Sequence, residues 1–387
     1  MLIDLTGTNA AKINSALVSA RRSAGSPAMG MVLTLVIVTD EAAHYDALKA
    51  ATQAAREHPS RILVAVGRPG RGEPRLDAEV RIGGENGPGE VILLRMHGAL
   101  AAHADSVVLP LLLPDAPVVT WWPSVSPDQP AKDPLGALAQ RRVTDTATAE
   151  DAVAALGVRA ASYTPGDTDL SWTRLTPWRT LLAATLDEPY GEVTGVEITA
   201  EPGSASAELL ALWLGDRLGV PVERGSSEGP GITSVRLRTA DGDIAVHRPD
   251  GRLAMLSRPG SPDRPVALHR RSTAELIAEE LRRLDPDDVY GDTIRLADPA
   301  RWHDPTGAGA GGAASTVGGA AGGKDPESAD APLGTARVTA ADVPTGSDAR
   351  TASEDAARLA ERPDGGAGAG DGGGTGGSDG TGGEAGA

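Results

Sequence analysis

The sequence predicts an α/β chain of two domains: an N-terminal sheet domain built around a βαβ unit and a C-terminal α+β domain with an antiparallel meander. A disordered tail follows them. Three observations carry this. Val32–Val38 and Ile62–Val66 are continuous apolar runs flanking a helical stretch, as strands buried on both faces require. Three later apolar runs are separated by Asp241-Gly242 and Asp250-Gly251, the dipeptides that favour tight hairpins. From Asp304 onward, glycine replaces the aliphatic clusters. The expected boundaries are residues 1–162, 163–303 and 304–387.

In chain order, Ala10 to Arg22 reads as a helix capped by Thr8 or Asn9. The strand Val32–Val38 leads to Asp40, which can cap a helix running to about Glu57. Tyr45, Leu48, Ala51 and Ala55 would form its packed face. His58-Pro59 stops that helix and Ile62–Val66 is the next strand, parallel to the first by a right-handed crossover. Val91–Leu94 and Ala116–Thr120 are further strands.

In the second half, Thr176-Pro177 has the N-cap and first-turn pattern of a helix carrying Leu181, Leu182 and Leu186. A strand at Val193–Thr199 precedes a helix from Ala205 to Leu218, which ends at Gly219 with Pro221 beyond. Strands at Ile232–Arg238, Ile244–Arg248 and Leu253–Ser257 form the meander. Ser272-Thr-Ala-Glu275 is a capping box opening a last helix with Leu276, Ile277, Leu281 and Leu284.

Composition excludes several classes. No cysteine occurs, so disulfides, thiolate nucleophiles and cysteine-ligated metals are impossible, and any redox control would act on a partner. Phenylalanine is also absent; six Trp and four Tyr supply all the aromatic area. A net charge of −17 opposes nonspecific binding to nucleic acid or anionic membranes. The greasiest segment, Val107–Val119, is broken by Pro110, Pro114, Asp115 and Pro117, so it spans no bilayer. The opening residues lack a basic and then apolar leader pattern, and the expected location is the cytoplasm. Residues 304–387 hold 23 of the 49 glycines and 13 acidic against 5 basic residues. Such a stretch buries too little apolar surface to offset its ordering entropy.

Few residues carry a pattern that points to chemistry. A dinucleotide site needs a glycine-rich turn where the first strand meets its helix. Here that turn is Val38-Thr-Asp-Glu-Ala42, with two carboxylates and no glycine. His97 and His103 lack the four-residue spacing of a helical zinc pair, and no G-x-S-x-G elbow sits at a strand end. No catalytic residue, metal or cofactor is expected. Outward-facing Arg236, Arg238 and His247 on the hairpin sheet could take an anionic effector such as a sugar phosphate, but a solvated sheet face is the favoured reading.

Two segments stand out as partner-facing candidates. Trp121 and Trp122 are adjacent on a strand, so their rings point to opposite faces. One could enter the core while the other looks outward, or both could be buried. The second segment runs from Tyr163 to Arg179 and offers Asp167, Asp169, Trp172, Arg174, Trp178 and Arg179. Trp and Arg are enriched at interface hot spots, and the same set could instead seal a domain junction. As interface residues, Arg174 and Arg179 would be expendable for folding, whereas Trp172 and Trp178 would not.

At these residues the chain resembles a known family. Ile3-Asp4-Leu5, Gly30–Val38, Pro114–Pro123, the long motif Pro165–Arg179 and Glu279–Tyr290 with Leu284-Asp-Pro-Asp287 are similar to the OpcA family of glucose-6-phosphate dehydrogenase assembly proteins. The resemblance covers roughly residues 1–296 in order. It implies a non-catalytic subunit that binds glucose-6-phosphate dehydrogenase and supports its assembly or activation in the oxidative pentose phosphate pathway. The competing reading is a sugar-phosphate-binding enzyme or metabolite sensor of the same pathway.

Overall fold

A computed structural model describes residues 1–24, 30–83 and 89–297. The glycine-rich tail expected from residue 304 lies outside the described residues.

The first sheet has eight strands: β1 (Leu2–Leu5), β2 (Leu33–Thr39), β3 (Ser60–Arg68), β4 (Arg75–Ile82), β5 (Glu90–His97), β6 (Val118–Trp121), β7 (Arg141–Thr144) and β8 (Asp167–Asp169). Their order is β1-β4-β5-β3-β2-β6-β7-β8. β2 is parallel to β3 and β6, β3 to β5, and β7 to β6 and β8; β1 and β4 extend one edge antiparallel. The six parallel strands therefore follow the order of a doubly wound dinucleotide-binding sheet, with its crossovers reversing between β2 and β6. β1, β7 and β8 give little sequence signal because they are short or strongly charged, whereas β4 alternates Leu76, Ala78, Val80 and Ile82 with charged residues as a half-buried strand does. Arg141, Arg142, Asp167 and Asp169 can sit in sheet positions only because each is paired or hydrogen-bonded.

Helices cover this sheet. α1 (Ala10–Ala24) buries Ile13 and Leu17 beside Val36, Leu63 and Ile92. α2 (His44–Ala54) buries Leu48 and Ala51 beside Leu35, Ile62 and Val64 on the other face. Tyr45 departs from its expected place on the packed face and is 67% exposed at the entry turn of α2. Asp40 does not cap α2 directly. Its carboxylate accepts the amides of Ala42 and Ala43 at 2.9 and 2.8 Å, closing the turn before the helix. Short α3 (Ala104–Val108) and α4 (Ala152–Ser162) follow β5 and β7.

β8 runs into α5 (Leu170–Thr173) and α6 (Thr176–Leu186). The second sheet comprises β9 (Val193–Ala200), β10 (Val222–Ser226), β11 (Ile232–Thr239), β12 (Ile244–His247), β13 (Leu253–Arg258) and β14 (Ser261–Ala267), with α7 (Ala205–Leu218) between β9 and β10. Its order is β10-β9-β11-β12-β13-β14. The meander β11 to β14 is antiparallel, whereas β10 is parallel to β9 through the α7 crossover. Gly219 takes the left-handed conformation (φ 65°) that ends α7, and Gly242 (φ 114°) turns the first hairpin.

α8 (Thr273–Arg282) and α9 (Asp288–Arg295) close the described chain, and they divide between the two cores. Leu276, Ile277 and Leu281 of α8 pack with α2 and the first sheet. Tyr290 and Ile294 of α9 pack with α7 and the second sheet. Residue 162 is thus not where the first sheet ends. β8 lies beyond it and α8 returns to it from more than a hundred residues later. Among the described residues, no helix is long and apolar enough to cross a membrane.

Candidate functional site

A doubly wound sheet binds ligands in the crevice at its reversal, here between β2 and β6, so the donors at that point decide what could bind. Two amides of the turn before α2, those of Ala42 and Ala43, are taken by Asp40. Glu41 accepts from Arg68 at 3.0 Å and from Arg95 at 3.2 Å. Burial alone would raise the Glu41 carboxyl, but these two guanidiniums draw it below its ordinary range. At this turn two amides thus serve Asp40, and Glu41 engages the two nearby guanidiniums. Among the described residues, no group of three His, Asp or Glu side chains is placed to hold a metal ion.

The segment after α4 is densely hydrogen-bonded. Gly166 introduces it at φ 96°, and a Cβ there would stand 2.5 Å from the Gln140 carbonyl. Its own carbonyl accepts from the Arg142 amide at 2.8 Å, which sets the β7–β8 register. Asp167 pairs with buried Arg142. Asp169, fully buried, accepts from the hydroxyls of Thr144 (2.6 Å) and Thr146 (2.8 Å) and from the Ser171 amide (2.9 Å). It caps α5 and needs no cation, because its neighbours donate.

From Leu170 the segment passes from one core to the other. Leu170 belongs to the first-sheet cluster. Trp172, Leu175 and Trp178 belong to the second-sheet cluster and are at most 2% exposed. The indole Nε1 of Trp172 donates to Asp287 at 2.8 Å. Arg179 lies over the Trp172 ring at 3.8 Å from its centroid and donates to Thr176 at 3.2 Å. Burial lowers the Arg179 pKa, opposed by Asp287, Glu279 and Glu280. Thr176 does not cap its own helix; its hydroxyl donates to Glu279 of α8 at 2.7 Å.

Arg174 makes a two-pronged pair with Asp145, at 2.7 and 2.8 Å. Asp145 is 5% exposed, and burial pushes its carboxyl up although Arg174 opposes the shift. Arg141 of β7 donates to Glu280 of α8 at 2.5 and 2.8 Å, and Thr173 donates to the other Glu280 oxygen at 2.6 Å. Arg271 pairs with Glu279. The segment therefore clamps β7, α8 and α9 together.

Of the residues that sequence singles out, Asp167, Asp169, Trp172, Arg174, Trp178 and Arg179 share this junction. Trp121 and Trp122 do not join its hydrogen-bond network. Neither looks outward: they are 1% and 2% exposed. Trp121 packs with the α2 and α8 side of the sheet. The Trp122 ring lies against Gly136, where an added Cβ would stand 3.1 Å away. A parallel sheet covered on both faces leaves neither ring exposed. Asp145, Arg141, Glu280 and Asp287 are partners that single-residue reading misses, because each lies more than 25 positions from the side chain it holds.

The hairpin-sheet arginines are not free cations. Arg238 pairs with Glu223 at 2.6 Å and Glu197 at 3.6 Å, and Arg236 with Asp243 at 3.1 Å and Glu197 at 3.7 Å. That face is a solvated ion-pair network.

Three solved structures show what the chain is distantly similar to. A 3-ketoreductase from Actinomadura kijaniata, with TDP-benzene and NADP, is 13% identical, covers 70% of this chain and 95% of its own, and gives a TM-score of 0.40. An oxidoreductase from Sinorhizobium meliloti is 11% identical over 70% and 95%, with a TM-score of 0.39. Biliverdin reductase from Synechocystis is 11% identical over 70% and 98%, with a TM-score of 0.36. Likenesses this distant carry no weight for fold or activity. No curated protein matches the chain. Two family models of glucose-6-phosphate dehydrogenase subunits do match: the N-terminal domain over residues 51–161 and the C-terminal domain over residues 165–294. The two matches are consecutive, together take in well over half of the chain, and include the whole clamped segment from Pro165 to Arg179. The chain belongs to the OpcA family of glucose-6-phosphate dehydrogenase subunits.

Proposed function

We propose that the chain is a cytoplasmic, non-catalytic accessory subunit that binds glucose-6-phosphate dehydrogenase and supports its assembly or activation. The observation that carries this reading is the ordered match of both family domains across residues 51–294. The absence of catalysis is supported by the turn after β2, which has no glycine and places the carboxylates of Asp40 and Glu41 there, engaged with two turn amides and two arginines. A junction that fixes two cores rigidly suits a scaffold, which presents a shaped surface and needs no moving site.

The contact surface belongs to the same proposal. Trp121, Trp122, Asp167, Asp169, Trp172 and Trp178 are buried, so they would act by positioning. Arg174 and Arg179 are partly exposed and would reach a partner at the rim of the junction. Purified chain and dehydrogenase are to be mixed on a sizing column, with NADP reduction read across the fractions. Co-elution with raised dehydrogenase turnover is expected, and no reduction by the chain alone. Reduction by the rigorously purified chain, or separate elution with unchanged turnover, would overturn the reading.

A further inference from the structure

The start of α7 opens on a cleft of about 260 Å³. Its walls come from α6, the loop before α7, and the strand ends around Ile232, Arg248 and Leu268. Four arginines line it, Arg174, Arg248, Arg270 and Arg271, against a single carboxylate, Glu201. Two of the four have carboxylate partners: Arg174 has Asp145 and Arg271 has Glu279. Arg248 and Arg270 have none among the described residues.

Arg248 is the telling residue. It is 4% exposed, a cost that burial normally imposes only on a cation with a counter-ion. Its terminal nitrogens donate to the carbonyls of Leu268 (3.0 Å) and Ile232 (2.8 Å), and its guanidinium lies 4.9 Å from the Trp178 ring centroid. Its Nε has no partner. Burial, and then the nearby charge of Arg270, push its pKa down to about 10. Asp250 partly opposes that shift, and Glu201 is the one carboxylate of the lining; neither forms an ion pair with Arg248 or Arg270 among the described residues. The first turn of the 14-residue α7, begun by Ser204, adds backbone amides and a positive dipole end to the same wall.

We propose that this cleft binds a small phosphate-bearing molecule, with Arg248 and Arg270 as its counter-charges and the start of α7 as a wall of amide donors. Guanidinium forks match phosphate oxygens, and two unpaired cations suit a dianion better than a single carboxylate. Pockets for drug-sized ligands run to about 300–1,000 Å³, so a cleft near the low end of that range suits a short phosphate monoester. The site lies apart from the turn after β2 and does not depend on the accessory role.

The test uses the full-length chain alone, by calorimetry and thermal melts, with inorganic phosphate and glycerol 3-phosphate as probes. Sodium chloride at matched ionic strength is the control. Saturable binding of at least one phosphate probe is expected, with a raised melting midpoint, because a ligand specific for the folded state stabilises it. Arg270 is exposed, so Arg270→Gln should melt normally without ligand and bind about tenfold more weakly or worse, a loss of roughly 1.4 kcal/mol. Arg56→Gln, an exposed arginine just after α2, should bind as the parent does. Tighter binding of the monoester than of free phosphate would identify an organic phosphate as the ligand. Equal binding would identify the phosphoryl group alone as what is read. No saturable binding of either probe at millimolar concentration, or unchanged affinity in Arg270→Gln, overturns the proposal.

Discussion

The guanidinium of Arg179 lies 3.8 Å above the ring of Trp172, whose indole nitrogen donates to Asp287 at 2.8 Å. One aromatic ring is thus held on its face from α6 and at its edge from the residue that caps α9, since Asp287 also accepts the Tyr290 amide at 2.9 Å. Trp172→Ala should lower folding stability by about 3–5 kcal/mol, because it opens a cavity between two cores in a chain with no phenylalanine to collapse into it. Trp172→Phe keeps most of the bulk and loses the hydrogen bond, so it should cost visibly less. Urea midpoints at unchanged slope would check both.

Arg174 faces both inward and outward, and its two roles separate experimentally. The pair with Asp145 means that Arg174→Ala strands a buried carboxylate, so the fold is not spared as an interface-only arginine would allow. A loss of about 1–3 kcal/mol is expected, the cost of an unsatisfied buried group. Asp145→Asn combined with Arg174→Gln should recover much of it, because no buried charge is left unpaired. Dehydrogenase activation by the recovered double variant then reads the outward role. Weak activation at restored stability assigns Arg174 to the contact surface, and full activation removes it.

How much of this is legible in the sequence depends on periodicity and spacing. β2, β3, α2, α7, the meander and the capping box carry local signals, either apolar runs or fixed turn chemistry, and the structure places them within a few residues of expectation. β4 does carry one, the alternation of Leu76, Ala78, Val80 and Ile82 with charged residues; β7 and β8 carry none. Arg142 and Asp167 look like loop residues until each is seen to neutralise the other across 25 positions. The junction segment stands out for its Trp and Arg content, but its partners Asp145, Glu280 and Asp287 come from three other places in the chain. Tertiary pairing decides such residues, and composition cannot show it. The placement of α8 on the first sheet is hidden for the same reason.

The capping box at the start of α8 supplies a pH signature. The Ser272 hydroxyl and amide both donate to Glu275 at 2.7 Å, and these bonds pull the Glu275 carboxyl below its ordinary 4.5. A carboxyl depressed in the folded state stabilises it fully above the unfolded value, and that contribution disappears as pH falls through the lower folded value. Glu275→Gln should therefore be less stable than the parent at pH 7, with the gap closing below about pH 4. Ser272→Ala removes the reciprocal cap and should cost about 1 kcal/mol. Thermal melts of both variants between pH 7 and acid would show it; a gap that is flat with pH would mean that the box contributes nothing through charge.

The longest-range prediction concerns Arg141 and Glu280, on β7 and α8, whose side chains are 6% and 5% exposed. Arg141 also donates to the Asp285 carbonyl at 2.9 Å, so one guanidinium fixes both the helix and its exit. Breaking a buried pair by removing one member leaves an uncompensated charge and typically costs about 3–5 kcal/mol. Glu280→Leu should fall in that range, since it also leaves the Thr173 hydroxyl without its acceptor at 2.6 Å. Replacing both members with apolar residues of similar volume, Arg141→Met with Glu280→Leu, removes the charges together and should recover most of the loss. The cycle also tests whether the two sheets unfold as one unit. α8 is covalently part of the second half of the chain but packs on the first sheet, so a local break there should uncouple the two. In Glu280→Leu, urea unfolding followed by tryptophan fluorescence and by far-ultraviolet dichroism should give separated midpoints, because five of the six tryptophans report on particular places: Trp121 and Trp122 on the first sheet, Trp172, Trp178 and Trp213 on the second core. Coincident midpoints, with a loss below about 1 kcal/mol, would mean that apolar packing of Leu276, Ile277 and Leu281 holds α8 in place without the ion pair.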